Sequence, residues 1–132
     1  MFASGNVTVY VSNMDRAVRF YTEVLGLKLA YRFADNWASV EAGKGLTIGL
    51  HPASAEMPAG RKGSMSIGLE LNGPIEDAMK TLSAKGLRFQ GEVNDSKAGK
   101  FIGFLDPDGN QLYLAELSWS HVNQGEGKYQ HA

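Results

Sequence analysis

Residues 7–27, VTVYVSNMDRAVRFYTEVLGL, change their apolar period partway along, and that change decides the first part of the fold. Val7, Val9 and Val11 alternate with Thr8 and Tyr10, the period-two pattern of a strand with one buried face. From there Met14, Ala17, Val18, Tyr21 and Leu25 recur at helical spacing. Ser12 and Asn13 stand where a helix takes its N-cap, and Gly26 supplies the stop.

Three short candidate strands follow at Lys28–Ala34, Trp37–Glu41 and Leu46–His51, parted by Asp35-Asn36 and by Gly43-Lys44-Gly45, both of which suit turns. The order so far is βαβββ. Residues 52–63, with Pro52, Pro58, Gly60 and Gly63, read as a loop that divides the chain. Beyond it the plan repeats. An alternating strand at Ser66–Leu71 leads to a helix opened by Gly73-Pro74 and closed by Gly86, which is expected to bury Ile75, Ala78, Met79 and Leu82. Three more strands end near Leu117. The last two are joined by Asp106-Pro107-Asp108-Gly109-Asn110, in which Gly109 can supply a positive φ.

Sliding the sequence by 60 places sets Gly26-Leu27-Lys28 on Gly86-Leu87-Arg88, and Val7, Val9 and Val11 on Ile67, Leu69 and Leu71. With a few extra residues in the second copy, Ile48 and Leu50 correspond to Leu112 and Leu114. The chain therefore reads as an internal duplication of α+β class, built from two βαβββ modules. One domain is expected over residues 1–117, with modules at about 1–52 and 64–117 and a tail at 118–132. In each module the apolar partners of a strand should cover the helix, while alternate residues line the other face. That second face would carry Asn6, Thr8 and Tyr10; Thr47, Gly49 and His51; Ser66, Gly68 and Glu70; and Tyr113 with Ala115. It is too polar and too small for a core.

Composition narrows the function classes. A formal charge of −1 over 132 residues gives no clustered field for nucleic acid or an acidic membrane surface. The absence of cysteine excludes disulfides, thiolate nucleophiles and Cys-zinc sites. Residues 1–11 lack a basic segment followed by an apolar one, and no run approaches the roughly eighteen apolar residues of a membrane helix, so a cytoplasmic location is expected. Gly43-Lys44-Gly45 lacks the spacing and the following helix of a phosphate loop.

The stretch from Val11 to Tyr21 followed by Leu25-Gly26-Leu27 resembles the opening motif of the vicinal oxygen chelate superfamily, which includes glyoxalases, bleomycin-resistance proteins and extradiol dioxygenases. Asp106-Pro107-Asp108-Gly109-Asn110 resembles its closing motif. The resemblance implies a U-shaped mixed sheet with the helices on its outer face, and homodimers are common among such proteins. In the metal-using members four ligands, usually His, Glu or Gln, come from the first and last strands of each module. Those positions fall here on Asn6, Gly49, Ser66 and Tyr113. An amide, a hydroxyl, a phenol and a missing side chain make a poor set for a divalent transition ion, so no metal and no cofactor are expected.

The residues left for function are those that suit binding. Tyr10, Trp37 and Tyr113, with Phe101 beside them, are candidates for the walls of a cavity for a flat or hydrophobic molecule, although such rings also serve as core. His51 reads first as a polar group at a pocket rim and second as a displaced ligand. Glu70 is a candidate general base or ligand, unless a neighbour such as Arg32 neutralises it. Glu41 and Glu116 are weaker, the latter lying on the opposite face from Tyr113 and Ala115. Trp119, His121 and His131 in the tail suggest docking more than metal.

The expected function is metal-independent binding of an antibiotic-like or hydrophobic small molecule through Asn6, Tyr10, Trp37, His51, Ser66, Glu70 and Tyr113, in a homodimer. Two enzyme classes stay open beside it, as does a purely structural or partner-docking role. One is a lyase, isomerase or dioxygenase whose metal is held by displaced groups at His51 and Glu70. The other is a metal-free enzyme in which one of these two moves a proton.

Overall fold

In the computed structural model, which describes Met1, residues 4–60 and residues 65–118, the chain order is strand, helix, three strands, and then the same again. The first copy comprises β1 (Val7–Val11), α1 (Met14–Arg19) extended by a π-helical turn (Phe20–Val24), β2 (Lys28–Phe33), β3 (Trp37–Ala42) and β4 (Leu46–Pro52). The second comprises β5 (Ile67–Glu70), α2 (Ile75–Ala84), β6 (Phe89–Ser96), β7 (Gly99–Leu105) and β8 (Gln111–Leu117). The expected α+β plan of two βαβββ modules is present. Trp119, His121 and His131 lie outside the described residues.

Each copy forms a four-stranded mixed sheet, ordered β1-β4-β3-β2 in one and β5-β8-β7-β6 in the other. The duplication extends to register. Val7 lies beside Ile48 in the parallel β1–β4 pair, and Ile67 lies beside Leu112 in the parallel β5–β8 pair. By compactness the chain divides into one unit of Met1–Ser66 with Leu105–Gln111, and another of Ile67–Phe104 with the described residues from Leu112 onward.

In the first unit the period-two pattern places Val9, Val11, Ala38, Val40, Ile48 and Leu50 on one side of the sheet, all buried. Helix α1 packs against β3 and β4, and its residues Met14, Ala17, Val18 and Tyr21 are buried too. Each such aliphatic side chain removed from water contributes roughly 1.5–3 kcal/mol. Asn13 caps the helix as its sequence position suggested, its side chain accepting from the backbone N–H of Arg16 at 2.9 Å.

The helix does not run on in α form to Leu25. Its last turn is wound as π, with Leu25 N–H donating to the Phe20 carbonyl at 3.0 Å. The Thr22 hydroxyl donates to the Val18 carbonyl at 2.7 Å, a back-bond that competes with the helix ladder. Gly26 and Gly86 end the two helices at φ of 76° and 97°, conformations that few side chains tolerate.

In the second unit Ile67, Ile102, Phe104, Leu112 and Leu114 form the buried set with Ile75 and Leu87. Ala78, Met79 and Leu82 of α2 are half-buried, so the helix buries a narrower stripe than its pattern suggested. At one edge of each sheet, β2 and β6 carry a register shift, between Leu29 and Tyr31 and between Gln90 and Asn94, an irregularity that discourages pairing along that edge.

Candidate functional site

The face of the first sheet away from α1 is organised in rows across the strands. Parallel pairing sets Tyr10 beside His51, and the β2–β3 hairpin sets Phe33 beside Trp37. His51 and Trp37 meet edge to face with ring centroids 6.3 Å apart, and Tyr10 and His51 do so at 5.6 Å. The result is one row of four rings, Tyr10, His51, Trp37 and Phe33. At the usual spacing between strands it spans about 14 Å. The next row is Thr8, Gly49, Ser39 and Tyr31. Asn6 precedes it, and its side-chain oxygen accepts from the Thr8 hydroxyl at 3.1 Å.

The alternation predicts Tyr10 and His51 on this face, and Trp37 is among the expected cavity walls; Tyr31 and Phe33 are additions that the structure makes. Both are 58 % exposed. Their signal was the tight turn at residues 34–36, in which Asn36 N–H donates to the Phe33 carbonyl at 2.9 Å. A turn centred there makes Phe33 the partner of Trp37.

Gly49 is what seats Trp37. A β-carbon at residue 49 would stand 2.1 Å from Cη2 of the Trp37 ring, so the indole lies directly on the β4 backbone. His51 is exposed, and its Nδ1 lies 2.9 Å from the Pro52 carbonyl oxygen. A carbonyl only accepts, so Nδ1 carries the hydrogen and Nε2 of the neutral ring is an acceptor.

In the second unit Gly68 pairs with Tyr113 and Glu70 with Ala115. Here Tyr113 lies over the glycine, its Cζ 2.3 Å from where a Gly68 β-carbon would be, and it meets Phe101 edge to face at 6.2 Å. Glu70 is exposed on the same face, one row beyond Tyr113. Ser66 is exposed just ahead of β5. Of the predicted site residues, the first sheet thus gathers Tyr10, Trp37 and His51, with Asn6 at its margin, and the second gathers Glu70 and Tyr113.

Charged groups near these faces are committed elsewhere. Arg32 pairs with Asp15 at 2.6 Å and Asp35 at 3.0 Å, and its guanidinium holds the Asp15 carboxyl below its usual range. It is not given to Glu70. Glu116 accepts from the backbone N–H of Ile75 at 2.8 Å, which makes it a cap for α2. A cleft of about 320 Å³ beside the start of α1, lined by Ser12, Asn13, Asp15, Asp35 and Pro52, carries no aromatic wall.

The closing motif is scaffold. Asp106, 4 % exposed, accepts from the Tyr21 hydroxyl at 2.8 Å, from the backbone N–H groups of Asp108 and Asn110 at 3.0 and 2.8 Å, and from Asn110 Nδ2 at 2.8 Å. Burial pushes its carboxyl up despite these donors, and burial beside that carboxylate pushes the Tyr21 phenol well up, so Tyr21 remains a donor at neutral pH. Asp108 accepts from the Ser12 hydroxyl and backbone and from Arg16 at 3.2 Å. Opening and closing motifs are thereby tied to each other.

The metal positions implied by the resemblance do not fit a transition ion. Asn6 offers an amide already accepting from Thr8, Gly49 offers no side chain beneath the Trp37 ring, Ser66 a hydroxyl and Tyr113 a phenol packed on Gly68. Among the described residues no three His, Cys, Asp or Glu side chains come together as a metal-binding group.

Comparison with known proteins agrees with this architecture. A curated relative, the uncharacterized protein YetH of Bacillus subtilis, is 32 % identical over 121 residues, covering 85 % of this chain and 96 % of its own. TnmS3, an antibiotic binding protein from Streptomyces sp. CB03234, superposes with a TM-score of 0.72 at 25 % identity, covering 89 % of this chain and all of its own. A glyoxalase/bleomycin resistance/dioxygenase superfamily member from Sphaerobacter thermophilus does so at 0.70 and 26 %, covering 88 % and 98 %. Residues 4–114 match the family model itself, and the chain belongs to the Glyoxalase/Bleomycin resistance protein/Dioxygenase superfamily.

Proposed function

We propose that this chain is a metal-independent small-molecule binding protein that holds an antibiotic-like or hydrophobic metabolite on the sheet faces bearing Asn6, Tyr10, Trp37, His51, Ser66, Glu70 and Tyr113. The observation that carries the reading is the ring row of the first sheet. Tyr10, Trp37 and Phe33 offer broad apolar area, His51 a polar group within it, and Phe33 is too exposed to be core. The similarity to TnmS3, itself an antibiotic binding protein, supports the same ligand class. Metal independence rests on the chemistry of the donor set. The reading takes residues 1–117 as one binding domain, acting in the cytoplasm as a homodimer.

The test is titration of planar aromatic compounds into the protein, followed by tryptophan fluorescence and calorimetry, with and without EDTA. Micromolar binding that EDTA leaves unchanged and that Trp37→Ala weakens about tenfold, or about 1.4 kcal/mol, is the expected result. One equivalent of zinc, nickel, manganese or iron retained per chain, and lost on His51→Ala, would replace this reading with a metal-dependent lyase, isomerase or dioxygenase. Light scattering reads the oligomeric state.

A further inference from the structure

His51 is an acceptor set in the middle of an aromatic row. Its Nδ1–H is held by the Pro52 carbonyl at 2.9 Å, which fixes both the ring orientation and the tautomer. Tyr10 and Trp37 flank it edge to face at 5.6 and 6.3 Å. Among the described residues no partner is found for Nε2, and the side chain is exposed. A flat molecule lying along the row would take water away from that nitrogen, and a covered acceptor without a donor opposes binding.

We propose that the neutral His51 ring, through Nε2, selects planar aromatic molecules that carry a hydroxyl donor. The inference rests on the proposed binding function and adds to it the ligand chemistry that the ring row alone does not choose. The flanking rings recognise any aromatic plane by stacking and edge contacts. Of the polar atoms in the row, His51 Nε2 can only accept, whereas the Trp37 indole N–H only donates and the Tyr10 hydroxyl can do either, so it is the histidine that demands a donor of the ligand. A site that offers a buried acceptor rejects an analogue lacking the donor far more strongly than an apolar pocket rejects a methyl group.

A matched pair of probes tests this, 2-naphthol and 2-methoxynaphthalene, which share the ring system and differ in the donor. The ether is the more apolar of the two, so a preference for the phenol does not arise from hydrophobicity. Calorimetry at pH 8 is expected to show 2-naphthol binding the wild-type chain about tenfold tighter than the ether. His51→Phe, which keeps a ring in the row, is expected to bind both probes within about threefold of each other. His51→Gln, whose side-chain oxygen also accepts, is expected to retain part of the preference. Melting curves establish that the variants fold. Equal binding of both probes by the wild type, or an undiminished preference in His51→Phe, overturns the inference and leaves the binding reading standing. Failure of both probes to bind at all overturns both.

Discussion

The two modules share strand order and register yet solve the same steric problem with opposite strands. In the first, Gly49 on β4 lies beneath a ring from β3, Trp37. In the second, Gly68 on β5 lies beneath a ring from β8, Tyr113, its direct register partner. The equivalent register pair in the first module is Thr8 with Gly49. Large and small have therefore changed places across the parallel pair. Each sheet seats one ring directly over a glycine on the face away from its buried side, while side-chain choice decides from which strand that ring comes.

The connections before the last strands differ more sharply. Asp106 N–H donates to the Asn110 carbonyl at 2.9 Å, as the ends of a three-residue turn, and a three-residue turn at 43–45 occupies the equivalent place after Ala42. One turn is exposed and glycine-rich, whereas the other is held by a buried carboxylate. The largest expected effect breaks this contrast. Asp106→Ala leaves the Tyr21 hydroxyl, two backbone N–H groups and the Asn110 amide without their acceptor, and is expected to cost about 3 kcal/mol or more in urea unfolding. Tyr21→Phe, which removes one donor, should cost about 1–2 kcal/mol. In the exposed turn, Lys44→Ala should fall within about 0.5 kcal/mol of wild type. Equal losses at residues 44 and 106 would mean that the two turns are not distinguished by their anchoring.

Next in size is the ring over the glycine. Gly49→Val forces the Trp37 indole off the β4 backbone, and an expected cost of about 2 kcal/mol follows from overpacking. The cost should shrink when Trp37→Ala is present as well, because the two residues share one space. A cycle with coupling below about 0.5 kcal/mol would show that the ring has somewhere else to go. Nickel or zinc binding by Gly49→Glu alone would count against the seating of Trp37 as an obstacle, since a carboxylate at residue 49 must first displace the indole.

The helix starts separate what sequence could tell from what it could not. Asn13 caps α1 from the adjacent position, a signal local enough to read directly. Pro74 occupies the N-cap of α2 and has no side chain able to cap, so the acceptor for the Ile75 N–H comes from Glu116, 41 residues beyond Ile75. No local pattern announces such a partner. Similarly, the buried face of β3 and β4 was legible from alternation, but the addition of Phe33 and Tyr31 to the open face depended on the exact centre of a hairpin turn and on a bulge beyond Leu29. The motifs that made the fold recognisable supply the Tyr21–Asp106 and Ser12–Asp108 ties, which secure the backbone, and a shared fold leaves the chemistry of its faces open. Substitution at the two caps sharpens the contrast. Asn13→Ala should cost about 1 kcal/mol, and Glu116→Ala a similar amount. Only the latter should uncouple the start of α2 from β8 in hydrogen exchange at the Ile75 amide.

The smallest expected effect concerns the exposed ion pairs, which each module also places differently. The first joins Asp15 of α1 to Arg32 of β2 at 2.6 Å, and the second joins Glu76 of α2 to Lys100 of β7 at 3.1 Å. The Asp15 carboxyl is lowered chiefly by its hydrogen bond to Arg32, whereas Glu76 is lowered first by its own backbone N–H and then by Lys100. A lowered carboxyl contributes stability above its ordinary range and loses it as pH falls through the depressed value. Asp106, raised by burial, works in the opposite sense, its neutral form being favoured as pH falls. Melting temperatures of Asp15→Asn should therefore lie slightly below wild type at pH 7 and converge with it only once pH has fallen past the depressed folded-state value, below the ordinary aspartate range, where Asp15 is protonated in both states. Added salt should shrink the gap at pH 7, because the carboxylate is exposed. Glu76→Gln should keep more of its gap in salt, since a neutral backbone N–H rather than a charged guanidinium leads its shift. A salt-insensitive difference for Asp15→Asn would instead make its pair part of the packing between α1 and the hairpin.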